Sequence, residues 1–396
     1  MYPLLRPLLF RLDPERAHTL TLHVLRFTGQ FPPLRLVVSK YFEPDPKPVT
    51  AFGLTFRNPV GLAAGYDKDG QAVQGLAALG FGHLELGTVT PRPQPGNPKP
   101  RVFRLPEDRS LINRMGFPGR GAAFLHKQLS ALRLQPLLLG INLGKNKDTP
   151  NEEAARDYLT LFEQFAPLAD YLAINVSSPN TAGLRRLQAR DALEDLLGHL
   201  AAARTSQSQI SKPTNQQTNQ SQISNPTNQQ TNQSQISNPT NQQTDQSQIS
   251  IPTNQQTNQS QISNQQSPIS PSPPLLVKLS PDLNDNELDD ALEAITRTGM
   301  DGVIATNTPL RREGLYSPRA NETGGLSGAP LAAHSTGIIC KIHQRTGGKL
   351  PIVGVGGILT PGDARARLDA GATLVQVYTG LIYEGPGLVK RIVNGL

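Results

Sequence analysis

Short apolar runs in this chain end, one after another, in residues able to bind or react. Pro59 to Ala64 leads into Gly65-Tyr66-Asp67-Lys68, and His83 to Val89 carries Gly87-Thr88 before Thr90-Pro91-Arg92-Pro93-Gln94. A loop reads Asn113-Arg114-Met115-Gly116-Phe117. Later runs end in Asn142, in Asn175-Val176-Ser177-Ser178-Pro179-Asn180, and in Thr306-Asn307-Thr308, while Lys278 stands inside another. Gly324 to Gly328, Gly354-Val355-Gly356-Gly357 and Tyr378-Thr379-Gly380 complete the series. Asn142, Asn175, Asn180 and Asn307 offer donors and acceptors together, which suits a flat heterocycle with alternating carbonyl and N–H groups. The late glycines let backbone N–H groups approach a phosphate closely. Lys68 and Lys278, at or near apolar runs, would meet an anionic ligand or a negatively charged reduced cofactor.

Eight such runs alternate with helical patterns. In 151–168, Ala154, Tyr158, Leu161, Phe162 and Phe165 share one face, and 191–203 and 286–298 behave alike. Strand and helix repeated eight times implies parallel pairing, and eight units close into a (β/α)8 TIM barrel. In that fold the C-terminal strand ends build the site, which is where the polar residues fall. An open doubly wound sheet is the rival architecture, but its ligand residues should gather at one switch point.

Outside the barrel we expect an N-terminal α-helical hairpin with a linker over 1–48. Asp13-Pro14-Glu15 reads as an N-cap, a first-position proline and an acidic first turn, and Gly29 as the stop. Leu4, Leu5, Leu8, Leu9 and Leu12 beside Arg6, Arg11 and Arg16 would suit either a barrel cap or a membrane surface. The barrel should occupy 49–204 and 274–396. Between them, 205–273 is a Ser/Thr/Asn/Gln tract whose unit restarts at Thr214, Thr227, Thr240 and Thr253, every 13 residues. With so little apolar area it is expected to be a disordered low-complexity insertion on the non-catalytic face. The net charge is +7 in 396 residues, but Lys and Arg are scattered, so a nucleic-acid partner is not expected. The single cysteine, Cys340, excludes an intramolecular disulfide and a Cys-rich zinc site. No metal is expected, and we expect a monomer.

Together these motifs resemble the dihydroorotate dehydrogenases of class 2, the quinone-dependent, membrane-associated type. The resemblance covers the chain except the repeat tract. It implies FMN as cofactor, oxidation of (S)-dihydroorotate to orotate in pyrimidine biosynthesis, and a respiratory quinone as acceptor. It implies peripheral attachment through the hairpin to the cytoplasmic side of a bacterial-type cell membrane. Carried over residue by residue, Ala64, Gly65, Tyr66, Asp67, Lys68, Thr88, Asn142, Asn175, Lys278, Thr306, Gly328, Gly357, Tyr378 and Thr379 would hold FMN. Lys68, Asn113, Arg114, Met115, Gly116, Phe117, Asn175, Asn180, Asn307 and Thr308 would hold dihydroorotate, and Ser178 would be the catalytic base. Tyr66 departs from the smaller apolar residue expected there. A serine base rather than a cysteine at 178 separates the chain from class 1. Rival readings are another FMN barrel such as an enoate reductase, a non-redox sugar-phosphate barrel, and a binding protein working through the Gln/Asn tract.

Overall fold

The fold was obtained as a computed structural model and is described for residues 2–132, 137–210 and 272–396. Eight parallel strands close into a barrel: Val60–Leu62, His83–Val89, Leu138–Leu143, Tyr171–Asn175, Leu275–Leu279, Gly302–Ala305, Ile352–Val355 and Leu374–Val377. Closure is made by the last strand on the first, with Val375 beside Val60 and Gln376 beside Gly61. These are the eight expected runs. They are near-continuous Val, Ile and Leu because both faces of each strand are covered, one by helices and one by the barrel interior.

The helices bury the stripes read from their periodicity. Ala154–Phe165 buries Ala154, Tyr158, Leu161, Phe162 and Phe165, each larger side chain contributing roughly 1.5–3 kcal/mol. Asp285–Arg297 buries Leu288, Ala291, Leu292 and Ile295 and starts in a capping box between Asn284 and Glu287. A short antiparallel hairpin, Val49–Ala51 with Leu54–Phe56, places Phe56 in a cluster with Tyr171, Leu276 and Val353. A separate three-stranded sheet joins Val102–Leu105, Ser110–Asn113 and Gly325–Gly328 around Phe103, Leu105, Ile112 and Leu326. In the sequence, 324–328 stands among the motifs at the strand ends. Gly325–Gly328 is itself a strand, and a Cβ on Gly325 would sit 2.0 Å from Thr308 Oγ1, so this strand lies directly on the segment bearing Thr308.

The N-terminal segment holds three helices rather than a two-helix hairpin: Tyr2–Arg11, Pro14–Gln30 and Pro32–Phe42. Asp13 caps the second by accepting from the N–H groups of Glu15 and Arg16. That helix packs so closely on Val73–Ala77 that a Cβ on Gly75 would lie 1.9 Å from the Leu25 carbonyl. Its inward residues are Leu22, Leu25, Thr28 and Gly29, while Val24 and Phe27 are exposed. Arg6 is not free for headgroups, because it donates to the Tyr383 carbonyl at 2.9 Å. Arg104 holds the turn between the first two helices through the carbonyls of Phe10 and Leu12, at 2.7 and 2.5 Å.

The helix after the fourth strand runs from Arg190 to Ile210, past the expected start of the tract at Thr205. Ser272 and Pro273 lead into the fifth strand at the N-terminal end of the barrel. The repeat tract itself, 211–271, lies outside the described residues. Cys340 is half-buried on the helix Ala332–Arg345 and does not line the cavity described next.

Candidate active site

The C-terminal strand ends and the N-terminal helices enclose one continuous cavity of about 600 Å³. Its barrel end is lined by Ala64, Gly65, Tyr66, Lys68, Thr88, Asn175, Lys278, Thr306, Gly328, Gly357, Tyr378 and Thr379. Asn113, Met115, Gly116, Phe117, Ser178, Asn180, Asn307 and Thr308 form an adjoining wall. Beyond them the cavity continues between the first two helices, past Leu5, Leu9, Ala17, His18, Leu20, Thr21 and Val24.

The amides anticipated from the strand ends form a linked set. Asn175 Nδ2 donates to Thr88 Oγ1 at 2.9 Å and to Asn142 Oδ1 at 3.0 Å, and Thr88 Oγ1 donates to Asn142 Oδ1 at 2.5 Å. Asn307 Nδ2 donates to Ser177 Oγ at 3.0 Å and to Asn175 Oδ1 at 3.3 Å. Across the wall, Asn180 Nδ2 donates to Asn113 Oδ1 at 3.1 Å. Adjacent amides thus fix one another's orientation, so the groups facing the cavity are held before a ligand arrives. Ser178 is buried, and its Oγ accepts from the Asn180 N–H at 3.2 Å. A hydroxyl so placed keeps its own proton as donor while a backbone dipole stabilises developing negative charge on oxygen.

Lys68 donates to the Gly65 carbonyl at 2.7 Å. Removal from bulk water holds its ammonium down to about 8, against the opposing pull of Asp69. It opens onto the cavity rather than onto solvent. His18 shares that space, its ring edge-on to Tyr66 at 5.0 Å, and burial with the Lys68 charge lowers it to about 4, leaving a neutral imidazole. Tyr66 packs between His18 and Tyr378. Burial pushes its phenol up to about 12, so it remains a neutral wall.

Three anticipated residues do not line the cavity. Asp67 stands behind it, accepting from the N–H groups of Gln71 and Ala72 at 2.9 and 2.7 Å. Asn142 acts one layer below, through Thr88 and Asn175. Arg114 turns away, paired with Glu322 at 2.8 Å and stacked on Phe103 at 4.5 Å. Its main-chain carbonyl is tied by Asn97, whose amide also donates to the Asn180 carbonyl, both at 3.0 Å.

The sequence reading missed several groups. Gln94 was noted only as the end of a motif, yet its amide holds the carbonyls of Gly116 and Phe117 at 3.2 and 3.0 Å. Arg185 ties Ser177 to Thr308, and Glu85 lies buried beneath Lys278. His18 carried no motif, since its position depends on docking of the N-terminal helix.

Comparison with known proteins agrees with this geometry. The family profile described as dihydroorotate dehydrogenase matches residues 48–396. A relative named dihydroorotate dehydrogenase (quinone), from Acidithiobacillus ferrooxidans, is 46% identical, with 100% of this chain and 94% of that protein aligned. One of the same name from Roseiflexus sp. is 44% identical over 100% of this chain and 93% of its own length. Among solved structures, ligand-free DHODH from Eimeria tenella superposes with a TM-score of 0.74 at 35% identity, covering 97% of this chain and 94% of that one. The same protein in complex with ferulenol gives 0.73 at 34% identity, covering 97% and 90%. The profile begins just ahead of the barrel, whereas the full-length relatives also span the N-terminal helices. The chain therefore belongs to the dihydroorotate dehydrogenase family, in its quinone-dependent class.

Proposed function

We propose that this enzyme oxidises (S)-dihydroorotate to orotate on FMN, in pyrimidine biosynthesis, and passes the electrons to a respiratory quinone. The observation that carries the reading is the single cavity joining the amide cluster and Ser178 to the apolar space between the N-terminal helices. A polar substrate and an apolar acceptor need such different surroundings at two ends of one site.

The residues present fit a flavin mononucleotide. Thr88, Asn175, Thr306 and Gln376 supply uncharged donors and acceptors and Lys278 one ammonium, while Ala63, Ala64, Val355 and Ile358 give apolar walls. This combination suits a flat ring with carbonyls and N–H groups along one edge. Gly356 and Gly357 both need positive φ, at 116° and 68°. With Thr379, which opens the helix Thr379–Glu384 after the eighth strand, they form a backbone cradle of the kind that takes a phosphate. When bound, the flavin supplies the two-electron redox chemistry.

The chain's own groups do the remaining work. Ser178 Oγ accepts the proton lost from the carbon next to the carboxyl-bearing carbon. It is a weak base at its ordinary pKa, so it passes that proton on through the hydrogen-bonded wall or a bound water. Lys68 pairs with the substrate carboxylate, and Asn113, Asn180 and Asn307 hold the ring amides. Asp67 and Arg114 support this site from behind rather than by contact.

The outer faces of the three N-terminal helices present Leu4, Leu8, Phe27, Phe31, Leu36 and Val37, each more than half exposed. No described helix is long and apolar enough to cross a membrane. We read this face as a shallow, peripheral contact with the cytoplasmic side of a bacterial-type cell membrane, where a quinone enters without crossing water.

Half-reactions test the scheme. Ala17 lines the passage, so Ala17→Trp should leave anaerobic flavin reduction by dihydroorotate near the wild-type rate. Reoxidation by a soluble quinone should slow about tenfold or more, the scale of a blocked binding site. Unimpaired reoxidation would show that the quinone enters elsewhere.

A further inference from the structure

A buried carboxylate lies one layer beneath the cavity. Glu85, in the middle of the second barrel strand, is fully buried. Donors from four other strands close on it. Oε1 accepts from Asn142 Nδ2 at 2.8 Å and from Lys278 Nζ at 3.3 Å. Oε2 accepts from Gln376 Nε2 at 2.7 Å and from the Tyr171 hydroxyl at 3.3 Å. The ammonium and both amide NH2 groups can only donate, which matches an acceptor-only carboxylate.

Lys278 reaches the cavity from the same layer, and its side chain is 7% exposed against 0% for Glu85. Two opposite charges this close and this dry are strongly coupled, and removing one leaves the other uncompensated. In the reading above, Lys278 touches the flavin and Glu85 does not.

We propose that Glu85 is a positioning residue for the redox step: its carboxylate pins the Lys278 ammonium and offsets the positive charge which that ammonium presents to the flavin. The pair gives a nearly neutral floor. Without Glu85 the floor carries an unmatched positive charge, which favours any anionic state of the flavin. The inference rests on the flavin reading of the site.

Sulfite is a suitable probe, because it adds to an oxidised flavin to give an anion. The full-length, flavin-loaded protein is compared with Glu85→Gln, Glu85→Asp, Lys278→Met and the double variant Glu85→Gln/Lys278→Met. Sulfite Kd and the two-electron midpoint potential are read for each. Glu85→Gln should bind sulfite about tenfold tighter, with the potential raised by about 30 mV, the equivalent of tenfold for a two-electron couple. Glu85→Asp keeps the charge and should stay within about threefold of wild type, as should the double variant, which removes both charges. A purely structural role for Glu85 predicts lost stability with no directed change in potential. Glu85→Gln with wild-type sulfite affinity would overturn the proposal. So would a double variant whose sulfite affinity falls as far as that of Lys278→Met alone, since Glu85 would then contribute nothing. If Glu85→Gln does not load flavin, the double variant decides: loading with near wild-type affinity supports the pairing, and failure to load overturns it. A wild-type protein without bound flavin would instead remove the cofactor reading itself.

Discussion

Arg185 does not line the cavity, yet its removal should slow the chemistry. Its guanidinium donates to the Ser177 carbonyl at 3.1 Å and to the Thr308 carbonyl at 2.9 Å, and pairs with Asp282 at 2.7 Å. Asp282 in turn accepts from the Leu310 N–H at 3.0 Å. One side chain thus ties the loop bearing Ser178 to the segment bearing Asn307 and Thr308, and through Asp282 it also reaches Leu310. Hydrogen bonds to a charged group contribute about 1.5–3 kcal/mol each. Arg185 and Asp282 are each 22% exposed, so water replaces part of what is lost. We therefore expect Arg185→Ala to cost about 2–3 kcal/mol of stability, well below the sum of the three bonds. The kinetic effect should be larger, since a shift of about 1 Å in a reacting group costs about 100-fold. Stopped-flow reduction of the flavin by dihydroorotate measures it directly, with flavin content as the control. Arg185→Lys, which keeps the charge but not the fork, should fall between the two. Flavin reduction at the wild-type rate in Arg185→Ala would refute the idea that the two loops need a common tie.

Ser178→Ala should retain the flavin and slow its reduction by dihydroorotate by about 100-fold or more, the usual cost of losing a general base; near-normal reduction would remove the assignment. Affinity for orotate should fall as pH rises past about 8, because desolvation has lowered the Lys68 ammonium to that value and only the charged form pairs with a carboxylate. Above that point the loss should approach about tenfold per pH unit in a spectral titration, and a flat profile would show that Lys68 does not meet the carboxylate. Replacing 211–271 by a short Gly/Ser linker between Ile210 and Ser272 should leave turnover within about twofold, since a connection at the N-terminal end of the barrel lies opposite the chemistry. Loss of flavin binding in that deletion would show that the tract supports the barrel.

The eight strands were legible because each is buried on both faces and reads as an apolar run. The cavity-lining motifs were legible because they stand at the ends of those runs. Glu85 was not. In His83-Leu84-Glu85-Leu86 the polar alternation resembles a strand with one wet face, and only closure of the barrel turns that face inward, against Tyr171 and Gln376. The helix Pro32–Phe42 was missed because Pro32-Pro33 reads as a stop and none of its residues is buried. The same prolines occupy its first turn, where a missing N–H costs nothing. The sheet Val102–Leu105, Ser110–Asn113 and Gly325–Gly328 has four-residue strands, one of them more than 200 residues away in the chain, so no local pattern announces it. Arg114 looked like a ligand group because it lies within Asn113-Arg114-Met115-Gly116-Phe117, but which residues of that segment face the cavity depends on that sheet.

Whether dihydroorotate is oxidised in this cavity and its electrons handed to a quinone is read from steady-state turnover with three acceptors. Dihydroorotate is supplied with a soluble quinone analogue, with fumarate, or with NAD, and orotate formation is followed. Sustained turnover is expected with the quinone and little with the other two. Turnover that is faster with fumarate or NAD than with the quinone, or flavin that dihydroorotate cannot reduce, would contradict it.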